Sequence, residues 1–272
     1  MLNNEGDRLS RVIVCTPQKE YFQVSDLKAQ GMNEVPDPHQ TKVQHDRLKS
    51  VMADFGAEVL DAPEFAHHPN SVFVRDVALV TPRGFIQLRM GLQARRGEEI
   101  WMTEFLKSLD EPCLGEIKTP GFVEGGDLIL AGNVAFVGIS KRTNQTGADQ
   151  LTALLEKMNY EVRTVHMPDC YLHLGGAMSA VGPRRILCCQ DVFPANYFQG
   201  FDTIEVDHRN YKPSVGNVIC LGDNELIANA DENLPVIEIL QKHGCKVHAL
   251  DLSEFRKGGG GPTCLILPLE RK

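Results

Sequence analysis

Five residues of unlike chemistry recur along the chain at intervals of 44 to 49 residues, each beside a short apolar run that is typical of a strand. They are Asp76, Glu124, His173, Asn217 and Cys264. A steady period of this length indicates a repeat architecture. If the repeats surround an axis, two carboxylates, an imidazole, an amide and a thiol meet there. Such a set can bind a cation and attack it with sulfur, so the spacing predicts an active site built from repeats.

Cys264 is the candidate nucleophile. It follows the glycine run 258–261, and backbone without side chains can approach a ligand closely. Most cysteines are small buried hydrophobes, but the glycine run and the repeat position favour a catalytic thiol. A nucleophilic cysteine requires a stabilised thiolate and a nearby proton donor or acceptor. His173 can be that partner through the fold, although its leucine neighbours would also suit a histidine of the core.

Asp76 and Glu124 hold equivalent repeat positions. Buried carboxylates are costly unless they are paired with a cation or fully hydrogen-bonded. Arg75, or the N–H groups of the turn after Glu124, could satisfy them as a purely structural pair. The functional alternative is that both carboxylates bind one planar cation through charge-assisted hydrogen bonds. A guanidinium fits that description, and its central carbon would lie within reach of Cys264.

Alternating strand and helix patterns must position these residues. The predicted helices cover 41–55, 98–109, 147–158 and 234–243, and predicted strands include 11–15, 58–60, 161–165, 244–247 and 265–267. The fourth repeat is irregular, because 194–200 is too short for more than one or two helical turns. The polar segment 18–39 has the length of a lid or binding loop. Because no low-complexity linker divides the chain, the sequence predicts one domain over residues 1–272.

Composition argues against several classes of partner. The net charge is −8 without a basic cluster, which disfavours nucleic acid and anionic membranes. No stretch reaches the roughly 18–20 apolar residues of a membrane helix, and the first residues do not resemble a signal peptide. The cysteines lack the paired spacing of zinc ligands, and several lie in apolar runs. Reduced thiols in a cytoplasmic protein are therefore predicted.

The motifs, taken in order, resemble the guanidino-group-modifying enzymes, and most closely the dimethylargininases (dimethylarginine dimethylaminohydrolases). The likeness covers nearly the whole chain. It lies in segments 71–74, 94–98, 124–127, 138–144, 172–174 and 253–257, the last of which leads to Cys264. The resemblance implies an α/β fold of the pentein type, a five-bladed propeller of ββαβ repeats with pseudo-fivefold symmetry. Its active site would lie on the central axis.

The resemblance also implies roles for individual residues. Cys264 matches the nucleophile and His173 the general acid and base, while Glu124 and Asp76 match the carboxylates that bind the guanidinium. Two arginines, Arg95 and Arg142, match the residues that take the α-carboxylate of the substrate; alone they would be interpreted as surface arginines. Forked guanidinium groups suit carboxylate recognition.

Four positions depart from the dimethylargininase pattern. Asn70 replaces an aspartate that helps to hold the substrate's amino group, and Arg75 replaces an acidic residue; both are expected to contact the substrate. Gly175 and Gly259 replace a lysine and another acidic residue. Arg75 and the glycine run before Cys264 resemble arginine deiminase, but that enzyme has an aspartate where this chain has Gly175. One carboxylate fewer leaves room for N-substituents, so a methylated arginine is favoured over arginine itself.

The implied reaction is hydrolysis without cofactor or metal. The Cys264 thiolate attacks the guanidinium carbon, His173 protonates the leaving amine and then activates water, and a ureido product is released. For dimethylarginine the products are citrulline and dimethylamine. Carboxylates near Cys264 raise the pKa of its thiol, so full ionisation is expected only with the cationic substrate bound.

Other functions stay open at this point. An amidinotransferase would use the same residues but pass the amidino group to an amine, and a non-catalytic binder of arginine derivatives could keep the scaffold. A papain-like protease is disfavoured, because the cysteine comes last and its local signature is absent. The expected ligand is a small arginine derivative, and a second copy of the chain in a homodimer is the one protein partner considered. Nucleic acid and membrane are not expected partners.

Overall fold

The computed structural model describes residues 4–207, 214–230 and 234–272. Within these ranges the strands are β1 (Leu9–Cys15), β2 (Glu58–Ala62), β3 (Ala78–Thr81), β4 (Gly84–Gln87), β5 (Cys113–Glu116), β6 (Leu128–Ala131), β7 (Val134–Ile139), β8 (Glu161–His166), β9 (Met178–Gly182), β10 (Arg185–Gln190), β11 (Asp202–Asp207), β12 (Val218–Gly222), β13 (Glu225–Asn229), β14 (Lys246–Leu250) and β15 (Leu267–Arg271). The α-helices are α1 (Leu27–Gln30), α2 (Pro38–Phe55), α3 (Glu98–Ser108), α4 (Gln145–Glu156), α5 (Leu234–Lys242) and α6 (Ser253–Lys257).

The strands form five sheets of three strands each, and every sheet has the same plan. The middle strand pairs antiparallel with one neighbour and parallel with the other, as β4 does with β3 and β5. A helix connects the parallel pair in four sheets, because a parallel connection requires a long crossover. In the sheet of β9, β10 and β11 the connection 191–201 forms turns instead. The predicted five-bladed α/β fold of ββαβ repeats is confirmed, including its irregular fourth unit.

The first sheet contains both early and late parts of the chain. Its middle strand, β1, pairs antiparallel with β15 and parallel with β2. The register places Ile13 opposite Leu267, and both side chains are buried in an apolar cluster. The segment before β15 is therefore held against the start of the chain.

Helix α2 shows how local signals place the elements. Asp37 caps its N-terminus by accepting a hydrogen bond from Gln40 N (2.8 Å), and Pro38 occupies the first turn. Gly56 ends the helix with a φ of 104°, a conformation that glycine adopts without strain. Leu48 and Met52 bury the inner face. The helices predicted from apolar spacing agree with α2, α3, α4 and α5 to within a few residues.

The apolar runs beside the repeated polar residues are only partly strands. Residues 69–76 form short 3₁₀ turns before β3, and Pro262–Leu265 form another before β15. The predicted strand 265–267 therefore begins late, at Leu267. Apolar side chains of these turns, such as Val72 and Leu265, are buried by their neighbours without strand alternation. The consequence is that each repeated polar residue lies in or beside a turn that leads into a blade.

The segment 18–39 packs against α6 and the 3₁₀ turn at Pro69–Val72. It contains the buried side chains of Tyr21 and Met32, and its backbone is tied to α6 by the hydrogen bond from Asn33 N to Lys257 O (2.7 Å). The prediction that this segment is a lid or a binding loop stays a prediction. No helix in the described parts of the chain has the length and apolarity to cross a membrane.

Candidate active site

The turns before β3, β6, β9, β12 and β15 bring the five repeated residues together. One side-chain atom each of Asp76, Glu124 and His173 lies within 4.8 Å of the others, and all three side chains are buried. Cys264 and Asn217 line a cavity of about 380 Å³ together with His173. The convergence predicted from the repeat spacing is thus present in the fold.

Glu124 is the most heavily bonded of these residues. Its two carboxylate oxygens accept hydrogen bonds from two backbone N–H groups, of Gly91 and Leu92 (3.1 Å each). They also accept from Arg142 Nη1 (3.1 and 3.3 Å) and from His173 Nε2 (2.9 Å). Burial raises the pKa of Glu124. The hydrogen bond from His173 and its charge lower the pKa and together outweigh burial, so the net pKa is well below its usual range. Glu124 is therefore a fixed anion.

His173 is held as a cation among carboxylates. Burial lowers the pKa of its ring, but the charge of Asp76, the hydrogen bond to Glu124 and the charge of Asp127 raise the net pKa well above its usual range. Asp127 also fixes the neighbouring backbone, since its Oδ1 accepts a hydrogen bond from Leu174 N (2.8 Å). An imidazolium that can release a proton is thereby present beside Cys264.

Gly126 provides the space in which the imidazole lies. A β-carbon at this position would stand 2.6 Å from both Cγ and Nδ1 of His173. We expect Gly126→Ala to displace the ring by about 1 Å and to lower kcat by about 100-fold. Gly182→Ala at the end of β9 is the matched control, because its β-carbon meets a neighbour at an ordinary 3.5 Å. Steady-state kinetics on both variants checks this, and an unaffected kcat in the Gly126 variant would contradict it.

A second buried ion cluster surrounds Asp76. Arg95 Nη1 donates to Asp76 Oδ2 (2.6 Å), and Arg95 Nε donates to Glu98 Oε2 (2.9 Å). The other oxygen, Asp76 Oδ1, accepts from Gly126 N (3.0 Å). Burial raises the pKa of Glu98 to about 7, against the lowering effect of Arg95. This network fixes the direction of Asp76 before any ligand binds.

The predicted substrate-binding residues Asn70, Asp76, Arg95 and Arg142 all line a small cavity that also contains Cys264 and His173. Their present partners differ. Asn70 Nδ2 donates to the carbonyl of Gln30 (2.9 Å), so it ties the segment 18–39 to the site. The Arg95 side chain is 4% exposed and bound to two carboxylates, whereas the Arg142 side chain is 13% exposed and bound to Glu124. Arg142 is thus the more accessible cation.

Arg75 lies elsewhere. Its guanidinium bonds to Glu5 Oε1 (2.7 Å) and to the carbonyls of Gly125 (3.2 Å) and Leu128 (2.5 Å). It lines a separate small cavity with Glu5 and does not line either cavity that contains Cys264. The sequence predicts substrate contact for Arg75; the structure places it beneath the site, where its charge acts on Cys264 at a distance.

The thiol of Cys264 is held between opposing influences. Burial and the Asp76 carboxylate raise its pKa, while hydrogen bonds from the Gly261 region and from Asn217, with the charge of Arg75, lower it. The net pKa is raised. The free thiol is therefore largely protonated at neutral pH, in line with the expected need for a cationic substrate.

Sequence reasoning assigned no role to several residues of this site. Asp127 lies in the motif 124–127, and burial raises its pKa to about 6. Thr143 Oγ1 donates to Asp127 Oδ2 (2.7 Å), and Glu98 pairs with Arg95. Asn217 was visible only as a repeat position. The only signal in the sequence is that these residues lie near the motif residues. It does not show which side chains hydrogen-bond to each other.

The arrangement can bind a guanidinium between carboxylates and attack its carbon from Cys264. Oxygen and nitrogen atoms of Asp76, Glu124 and His173 could also ligate a divalent cation. Arg95 contacts Asp76 and Arg142 contacts Glu124, so their positive charges compete with a metal. The expectation of a metal-free, cofactor-free reaction stays a prediction.

A propeller of five ββαβ units with a cysteine, a histidine and two carboxylates at its inner turns defines the class of guanidino-group-modifying enzymes. The family model described as N,N dimethylarginine dimethylhydrolase, eukaryotic, matches residues 23–271, and the chain belongs to this family. The predicted enzyme class, a hydrolase of linear amidines, is thereby confirmed.

Individual relatives agree with this family assignment. The N(G),N(G)-dimethylarginine dimethylaminohydrolase of Pseudomonas aeruginosa is 29% identical over 233 residues, which cover 85% of this chain and 89% of that protein. A structure of the enzyme from that organism, a cysteine-to-serine mutant complexed with citrulline, has a TM-score of 0.84 at 27% identity and covers 96% of this chain and 100% of its own. An arginine deiminase of Listeria monocytogenes is 26% identical over 254 residues, 75% of this chain and 62% of that protein.

Proposed function

We propose that this enzyme hydrolyses N-methylated arginine to citrulline and methylamine or dimethylamine through a covalent Cys264 intermediate. The observation that carries the proposal is the grouping of Asp76, Glu124 and His173 within 4.8 Å beside the cavity of Cys264. The family membership and the citrulline complex of the relative support it.

In the proposed complex, Asp76 accepts hydrogen bonds from the substrate guanidinium, and Glu124 accepts them in place of those that Arg142 donates in the free enzyme. Arg142, the more accessible arginine, binds the α-carboxylate, and buried Arg95 supports it by orienting Asp76. Asn70 contacts the substrate's amino end together with the segment around Gln30. Arg75 has a supporting part, because its contacts are with Glu5 and backbone carbonyls.

The chemistry then proceeds in two displacements. Binding of the cationic guanidinium offsets the carboxylates, so the Cys264 thiol releases its proton to solvent water and the thiolate forms a bond to the guanidinium carbon, while His173 keeps its own proton for the next step. His173 gives a proton to the departing amine as the C–N bond breaks, which leaves an S-alkylthiouronium. The imidazole next takes a proton from water, the hydroxide attacks the same carbon, and the C–S bond breaks to release the ureido product.

The lining of the larger cavity favours a substituted guanidine. Its lining includes Gly175, Gly176 and Asn217 as well as His173, and none of its described lining residues is a carboxylate. Methyl groups need no hydrogen-bond partner when they are buried in this cavity, whereas the N–H groups of an unmethylated nitrogen would lack an anionic partner. Arginine is the second candidate, supported by the similarity to the Listeria arginine deiminase.

The test is citrulline formation from asymmetric dimethylarginine, monomethylarginine and arginine at equal concentrations. We expect kcat/KM to be at least about tenfold higher for the methylated substrates, a difference of about 1.4 kcal/mol in transition-state stabilisation. Turnover of arginine alone would make the protein a deiminase, and no ureido product from any of the three would contradict the proposal. Homodimer formation and a cytoplasmic location stay predictions of the sequence.

A further inference from the structure

Asn217, the fourth of the repeated residues, has an amide of fixed orientation. The side chain is 7% exposed. Its Oδ1 accepts two hydrogen bonds from Thr263, one from the backbone N (2.9 Å) and one from Oγ1 (2.8 Å). Its Nδ2 lies 3.6 Å from Cys264 Sγ, within hydrogen-bonding range for sulfur. One amide thus joins the turn before β12 to the nucleophile.

The amide cannot be reversed without loss. A backbone N–H only donates, so a reversed side chain would set its NH₂ group against the N–H of Thr263. The Thr263 contact therefore directs the NH₂ group to the sulfur. Space for this arrangement depends on Gly261, since a β-carbon there would lie 2.8 Å from both Cγ and Nδ2 of Asn217. The glycine run before Cys264 thus serves a second purpose besides close approach to a ligand, because it leaves space for the Asn217 amide.

The surroundings of the sulfur make a neutral donor valuable. Charged or titratable groups that face Cys264 come from several elements, namely Asp76, His173, Arg75, Arg256 and Tyr21. Asp76 opposes a thiolate. An additional lysine or arginine would compete with the cationic substrate for the carboxylates, whereas an amide stabilises the thiolate without repelling the guanidinium.

We propose that Asn217 is a positioning residue for the reaction, whose amide donates a hydrogen bond to the Cys264 thiolate and directs it at the substrate carbon. The inference rests on the proposed function only in taking Cys264 as the nucleophile. A purely structural alternative is that Asn217 merely joins two turns through Thr263. The two alternatives predict different ionisation of the Cys264 thiol in a variant of Asn217 that still folds.

The experiment measures alkylation of Cys264 by iodoacetamide as a function of pH in substrate-free enzyme, with peptide mass spectrometry used to follow this cysteine among the others. We expect Asn217→Ala to move the midpoint upward by about one pH unit, the value of one hydrogen bond to a charged group. Asn217→Asp, which keeps the shape and the Thr263 contacts, should move it further upward because it adds a negative charge. Asn33→Ala, at an exposed position lining the same cavity, should leave the midpoint unchanged.

A midpoint that stays in place in the folded Ala or Asp variant would overturn the inference and leave Asn217 a structural residue. If the Ala variant does not fold, Asn217→Ser, which also removes the NH₂ group without adding a charge, takes its place. In turnover, we expect the Ala variant to lose about tenfold in kcat with little change in KM. Because alkylation requires no substrate, a shifted midpoint in an enzyme that turns over no arginine derivative would support the inference while contradicting the proposed function.

Discussion

Cys264→Ser is expected to reduce citrulline formation by at least about 10⁴-fold. A serine hydroxyl is much harder to ionise than a thiol, and Asp76, which already raises the pKa of the thiol, would oppose an alkoxide still more. Mass spectrometry of acid-quenched turnover mixtures should detect an adduct of the substrate on wild-type Cys264 and none on the variant. Binding of substrate should persist, because both carboxylates remain.

Cys170→Ser is the matched control. Cys170 is exposed and lines the same cavity, but it lies outside the repeat positions and should be replaceable with little change in turnover. Retention of citrulline formation by the Cys264 variant would remove the covalent mechanism. A binder without activity would instead show tight ligand binding and equally absent turnover in both wild type and variant.

Glu124→Gln is expected to lower kcat/KM by about 10³-fold and to reduce the free energy of unfolding by about 2 kcal/mol. The carboxylate accepts hydrogen bonds from four separate groups, and all of them are donors: Gly91 N, Leu92 N, Arg142 and His173. A glutamine offers one oxygen, so its NH₂ group must face donors. Kinetics and chemical denaturation measure the two effects separately.

The same change should alter the pH dependence. Glu124 is one of the groups that raise the pKa of His173, so its neutralisation lowers that pKa. The imidazolium that protonates the leaving amine is then lost at a lower pH, and the high-pH limb of kcat moves downward. Glu116→Gln, at an exposed carboxylate paired with Lys118, is the control; an unmoved limb in the Glu124 variant would show that another group sets it.

The period of the repeats was enough to predict five repeated units and the meeting of Asp76, Glu124, His173 and Cys264, whereas the propeller of ββαβ blades was implied by the family resemblance. Each blade must place equivalent positions at equivalent points, so one spacing determines several side chains at once. The helix bounds followed from caps and apolar periodicity, as at α2. In the fourth unit the missing helix was visible as a chain segment too short to form one.

The partners of the charged residues were not predictable in the same way. Arg75 is adjacent to Asp76 in sequence, but the 3₁₀ turn at Val74–Asp76 directs the two side chains apart, toward Glu5 and toward Arg95. Nothing in the spacing indicates that Glu98 would neutralise Arg95. Such pairings depend on turn geometry and on which buried charges require a partner of opposite charge.

The pairing of β1 with β15 joins strands that lie far apart in the sequence, with Ile13 opposite Leu267. The turn that carries Cys264 leads directly into β15, so the position of the thiol depends on this one strand pair. Asp76, Glu124 and His173 lie before other strands. Local opening of β15 from β1 would therefore displace the nucleophile and leave the carboxylates and the imidazole in place, so we expect activity to be lost before the other four sheets unfold.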